Sequence, residues 1–205
     1  MRVLGIAIVQ QATPGNILLA EFDLSSFGFF ERGAVNEFLL FTSRTLAERT
    51  KSGERQKVEQ AEQKVVAYVH ARPEGATGVL ISDLEYPLRA AFSILNKVLD
   101  EFFTRFPATG RSDAWAGLEP ARTQTLWPEL KGYVSKFQDP HAADPFLRVQ
   151  KELDETKIVL HKTMESLLQR GEKLDDLVAR SDMLSQQSKL FYTTAKKTNA
   201  CCSWT

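Results

Sequence analysis

Apolar positions follow two regimes along this chain. Over the first two thirds they come as short β-rich runs and amphipathic stretches; over the last third they settle into one unbroken period. Val3 to Gln10 and Asn16 to Asp23 are β-rich runs, and Thr13-Pro-Gly-Asn16 between them is a turn signal, so the two are predicted to form a hairpin. A helix is predicted over Glu31–Thr50, with Ala34, Phe38, Phe41 and Thr45 on one stripe. Strands are expected at Glu54–Glu59, Val65–Ala71 and Gly78–Ser82, the last two separated by the turn chemistry of Arg72-Pro-Glu-Gly-Ala76. Leu88, Ala91, Phe92, Leu95, Val98, Leu99, Phe102 and Phe106 then mark a strongly amphipathic helix that Pro107 ends. A loop rich in Pro, Gly and small residues runs to Pro120, and a short helix over Pro128–Phe137 closes the unit. This order suits an α+β domain: a five-stranded antiparallel sheet with helices on both faces.

After Phe146 the apolar steps alternate between three and four. The seam reads Phe146, Val149, Leu153, Thr156, Leu160, Thr163, Leu167, Arg170, Leu174, Leu177, Ser181, Leu184, Ser188, Phe191, Ala195, Thr198. A mean step of 3.5 turns one helix face to a partner and imposes a left-handed supercoil. At 1.5 Å per residue such a helix would be roughly 80 Å long, too long for the interior of a chain this size. Six of the sixteen seam residues are polar, so a homodimer would bury little apolar area. Gly171 adds about 1 kcal/mol of helix penalty relative to alanine. The isolated segment is expected to order only on binding.

Arg170 is the one charged residue in the seam. A buried guanidinium costs several kcal/mol unless acceptors match its donors. One helix cannot supply them, so partner chains must. Polar residues at such positions serve register and partner choice.

The runs Leu153-Asp-Glu-Thr-Lys-Ile-Val-Leu160 and Leu167-Leu-Gln-Arg-Gly-Glu-Lys-Leu-Asp-Asp-Leu177 resemble the R-SNARE motif. Ser26-Phe-Gly-Phe-Phe-Glu31, Lys136-Phe-Gln-Asp-Pro140 and the pair Cys201-Cys202 resemble the lipid-anchored longin members of that family, which lack a transmembrane helix. The resemblance implies a profilin-like longin domain over 1–137, a linker over 138–145, an R-SNARE coiled-coil helix over 146–198 and a lipidated tail over 199–205. It implies Arg170 as the arginine of the central polar layer, and three Q-SNARE helices as partners in a parallel four-helix bundle. SNARE disassembly and tethering machinery are implied as further partners. So is a location in the cytosol and on the cytoplasmic face of Golgi, ER-derived vesicle, endosomal and vacuolar membranes. The implied function is fusion of vesicle and target membranes, regulated by the longin domain. The alternative is a soluble longin-type trafficking adaptor, which has no need of a lone central arginine or a terminal cysteine pair.

Composition removes other classes. Lys+Arg and Asp+Glu are both 26 among 205 residues, which argues against nucleic acid as a partner, since phosphate binding needs excess cations. No apolar run approaches the 18 or so residues of a spanning helix, and MRVLGIAIVQ lacks a signal-peptide cleavage pattern. His70, His141 and His161 have no companions at metal-ligand spacing, and phosphate-loop and nucleophile-elbow motifs are absent, so no enzyme is expected. No cofactor is expected beyond covalent lipids on the terminal cysteines. Cys202-Ser-Trp-Thr205 has the register of a prenylation box, with Cys201 as a palmitoyl site; the residues after Cys202 are not aliphatic, and Thr205 is not a usual last residue. Two lipids make a stable anchor where one does not.

The first predicted helix is apolar over an arc of roughly 180°, wider than the 100° of a surface helix. Two readings fit: a broad core face, or a groove beside the helix that takes an apolar segment. In the resembled family the longin domain folds back on its own SNARE helix and masks it, and Phe38, Leu39 and Phe41 would line that autoinhibitory groove here.

Overall fold

The computed structural model describes residues 2–60, 64–108, 115–143, 158–169 and 171–201. β1 (Val3–Gln10) and β2 (Asn16–Phe22) form the expected hairpin. α1 spans Arg32–Glu48, followed by β3 (Arg55–Gln60), β4 (Val65–Ala71) and β5 (Ala76–Asp83). α2 (Leu88–Arg105), the single turn α3 (Thr123–Leu126) and α4 (Glu129–Lys136) complete the first domain. Apart from α3, which was not anticipated from sequence, each of these elements lies within a few residues of its sequence-based limits.

The sheet order is β2-β1-β5-β4-β3-β6, where β6 is Ile158–His161 from the seam segment. α2 and α4 cover one face. Phe92, Leu95, Leu99 and Phe102 of α2 are fully buried there, with Trp127 and Phe137 sealing the far side. Glycine at position 78 lets α2 come down close on β5: a Cβ there would sit 3.0 Å from Leu95 and 3.2 Å from Leu99. Gln138, just past α4, ties the end of the domain to β1, donating to the Val3 carbonyl (2.8 Å) and accepting from the Val3 amide (3.2 Å).

α1 covers the opposite face, and the seam segment lies against it. After β6 come a 3-10 turn (Met164–Leu167), α5 (Leu174–Arg180) and α6 (Gln186–Cys201). The α+β class and the helices on both faces agree with expectation. Two details are corrected. The five strands of the domain pair antiparallel as expected, but the full sheet is mixed and six-stranded, because β6 from the seam segment pairs parallel to β3, with Arg55 opposite Ile158 and Val58 opposite His161. And over its described residues, 158–169 and 171–201, the motif segment is interrupted and mostly helical rather than one long helix. A solitary helix would leave its apolar seam in water, whereas α1 and the β3 edge offer cover within the same chain. Gly171, at φ +93°, makes the break just before α5.

Candidate functional site: the face between α1 and the motif

α1 lays Val35, Leu39 and Leu46 against the sheet and turns Phe38 outward to α6. Phe38 stacks on Tyr192 with ring centroids 5.4 Å apart and planes 23° apart. Leu174, Val178 and Leu184 from the motif join Val35, Leu39, Phe41, Leu46 and Val58 in one buried cluster. A cavity of about 710 Å³ remains between the layers, lined by Leu4, Phe27, Val35, Phe38, Leu39 and Leu46 on the domain side and by Met164, Leu174, Phe191, Tyr192 and Ala195 on the motif side. Of the three groove residues, Phe38 and Leu39 line this cavity. Phe41 instead packs into the cluster, 6% exposed.

Polar fastenings ring the apolar contact. Arg49, at the end of α1, holds both carboxylate oxygens of Glu172 at 3.2 and 3.0 Å. Glu172 also accepts from the Gln169 amide at 2.9 Å. Glu37 accepts from the Ser185 amide and the Ser188 hydroxyl, both at 2.7 Å, and so meets the first turn of α6 from across the interface. Burial pushes the Glu37 carboxyl up, but the hydrogen bonds from Ser185 and Ser188 outweigh it and hold it below the usual carboxylate range. Asp175 of α5 accepts from Lys196 (2.7 Å) and Tyr192 (2.8 Å) of α6, and those two bonds, Lys196 first, lower its carboxyl as well. The Met164 amide donates to Gln60 at 3.1 Å where β3 ends.

The seam is thus spread over several surroundings. Leu174, Leu184 and Ser188 are buried; Leu167, Leu177, Ser181, Phe191 and Ala195 are half-buried; Leu160 and Thr163 face outward, Leu160 at 69%. Phe146, Val149, Leu153, Thr156, Arg170 and Cys202 lie outside the described residues, as do the side chains of Thr198 and Cys201. Glu37, Arg49, Met164, Val178 and Tyr192 were not anticipated from sequence. The run Ile158-Val159 carried the only signal for β6, two adjacent β-branched residues inside a helical period.

Of the histidines, His70 is buried. Burial first, then the Arg55 and Arg72 charges, pushes it down to about 3, so it is neutral at any physiological pH. Among the described residues no cluster of His, Cys, Asp and Glu is arranged to hold a metal, and no helix is long and apolar enough to cross a membrane. The site combines apolar contact, a residual cavity and polar fastenings at Arg49 and Glu37.

Comparison with known proteins agrees with this layout. Residues 24–121 match the Longin family, described as a regulated-SNARE-like domain, and residues 146–205 match the Synaptobrevin family. The chain is 51% identical over 203 residues to the synaptobrevin homolog ykt6 of Schizosaccharomyces pombe, covering 98% of each chain. It is 53% identical over 180 residues to the synaptobrevin homolog YKT6 of Candida glabrata, covering 88% of this chain and 85% of that one. The Saccharomyces cerevisiae homolog YKT6 is 47% identical over 203 residues, with 98% of both covered.

Proposed function

This chain belongs to the synaptobrevin family as a longin-bearing R-SNARE of membrane fusion, and from that premise we propose that it is a zipper stored folded on its own regulatory domain. The partners are three Q-SNARE helices. They take the seam as a parallel bundle, with Arg170 as the central-layer residue whose donors meet acceptors from the three other chains. A one-layer slip would set that guanidinium against leucine, so Arg170 acts on register more than on strength. Assembly gathers about fifty residues into one helix, and the gain from burying the seam draws the two membranes together.

One observation carries the stored-zipper reading. Leu174, Leu184 and Ser188 are buried against the α1 side of the domain, and these are seam residues. A seam residue cannot face α1 and three partner helices at once. The folded-back form and the bundle therefore exclude each other, and the domain competes directly with the Q-SNAREs.

The tail supplies the hold on the membrane. Cys201 carries a palmitoyl group and Cys202 a prenyl group, because two lipids are needed for a stable anchor. A peripheral protein of this kind divides between cytosol and the cytoplasmic face of Golgi, ER-derived, endosomal and vacuolar membranes. Disassembly and tethering machinery act on the assembled bundle. Mass spectrometry of the C-terminal peptide from native cells reads the lipids directly, and an unmodified peptide in the membrane fraction would remove the anchor from this scheme.

The stored form is tested at Phe38. Phe38→Glu places a charge against the Tyr192 ring while leaving the half of the sheet under α2 untouched. Mixed with three Q-SNARE motifs, this variant is expected to form the four-helix complex at least roughly tenfold faster than the parent, each tenfold being about 1.4 kcal/mol of lost closure. Equal rates would mean that the domain does not restrain the motif.

A further inference from the structure

The motif buries residues that its seam does not account for. With the seam written as heptad positions a and d, Met164, Val178 and Tyr192 each follow a d residue (Thr163, Leu177 and Phe191) and so occupy position e. They recur at 14-residue intervals along the chain. Met164 and Val178 are 6% and 4% exposed, deeper than the seam residues Leu167, Leu177 and Phe191 beside them. Tyr192 stacks on Phe38 and donates to Asp175. The e residues between them are also committed: Gly171 makes the turn, and the Ser185 amide donates to Glu37.

The two tasks of the segment call for different stripe widths. A helix in a coiled coil buries a narrow a/d seam, and its e positions sit on the flank, usually charged. A helix lying on a globular surface buries a broader face of a, d and one flanking position. In α5 the buried pair is Leu174 and Val178, an a and an e, with Leu177 only half-buried between them. The helix is therefore rolled toward its e flank when it lies on the domain.

We propose that the motif carries two overlapping apolar registers: the a/d seam for the partner helices, and an e register of Met164, Val178 and Tyr192 that serves only the folded-back form. This rests on the stored-zipper reading above and adds to it the residues that set how tightly the zipper is stored. Closure strength can then change through position e without touching the surface that partners read. In the assembled bundle these three side chains come out on the flank, about 21 Å apart along the helix axis.

The test uses the full chain with Val178→Gln and, as a second site, Met164→Gln, beside Phe38→Glu and the seam variant Leu184→Gln. Two quantities are read: hydrogen exchange of the 174–196 amides in the free protein, and the melting midpoint of the complex with one fixed set of recombinant Qa, Qb and Qc motifs. The e variants are expected to raise exchange roughly tenfold and leave the midpoint at the parental value. Leu184→Gln is expected to raise exchange and lower the midpoint together. The proposal is overturned if the e variants lower the midpoint as Leu184→Gln does, since they would then belong to the bundle. It is overturned equally if Phe38→Glu raises exchange and both e variants leave it unchanged. If Phe38→Glu also leaves exchange unchanged, the stored-zipper reading falls, and the e register with it.

Discussion

The two faces of the sheet are closed in different ways. Under α2 and α4 the cover is continuous and aromatic: Phe92, Phe102, Trp127 and Phe137 are at most 1% exposed, and buried tyrosines tie the layers through Tyr68 to the Tyr86 carbonyl (2.6 Å) and Tyr86 to the Phe137 carbonyl (2.8 Å). Under α1 the cover is shared with the motif. It retains the 710 Å³ cavity, leaves several contacting side chains half-buried, and is finished at the rim by the Arg49–Glu172 ion pair and the hydrogen bonds to Glu37. Close packing makes the first face part of the global fold. A partly filled contact with solvated fastenings has a lower opening free energy and can part while the rest stays folded. One face is closed within the domain; the other is closed only by the motif.

The sharpest way to break this contrast is on the closed side. Phe92 is fully buried and packs edge-to-face on Tyr68 at 5.7 Å. Phe92→Ala is expected to cost about 3–5 kcal/mol and to lower the urea midpoint of the whole domain, read by circular dichroism. Release of the motif with a native domain underneath would show that the two faces are not distinct.

Gly171→Ala acts more gently and on one side only. The folded-back form holds residue 171 at φ +93°, where a Cβ is strained although no atom lies within 4 Å of it. In a continuous helix alanine is better than glycine by about 1 kcal/mol. Together the two effects move the balance toward the open form by about 2 kcal/mol. The expected result is faster complex formation with an unchanged urea midpoint for the domain; slower formation would place the turn outside the opening step.

The smallest effect is a pH dependence. Glu37 and Asp175 are held below their ordinary values in the folded-back form. Carboxyls lowered in one state stabilise that state above their free pKa, and the contribution is lost as pH falls through the lowered value. Protection of the 185–192 amides, corrected for intrinsic exchange, is therefore expected to be flat near neutrality and to decline below about pH 5. Glu37→Gln keeps an acceptor for Ser185 and Ser188 and removes the charge, so it is expected to remove part of that decline. An unchanged profile would assign the dependence to other carboxylates.

Much of the domain was legible residue by residue. Thr13-Pro-Gly-Asn16 marked the first hairpin, and the stripe from Leu88 to Phe106 marked α2 because its period is 3.6 and Pro107 ends it. The breadth of the α1 stripe signalled a second layer without saying what forms it. β6 was barely legible: Leu160 belongs to the seam, the adjacent Ile158 and Val159 leave its three-four steps unbroken, and only the open edge of β3 makes a strand of them. Glu37 and Arg49 were silent for a related reason. A charged residue on a helix surface is ordinary until a partner 148 or 123 positions away is brought to it.

Sequence alone determined the period of the motif, the number of its seam positions and the place of Arg170 among them, because a seven-residue repeat is a property of neighbours along the chain. It determined the order of elements in the domain for the same reason. Tertiary structure decided which partner the motif takes when it is by itself. That choice rests on the β3 edge, the outward side of α1 and the clamps at Glu37 and Arg49 coming together in space. It also showed that the residues fitting the motif to the domain include three, Met164, Val178 and Tyr192, that the heptad had left on the flank.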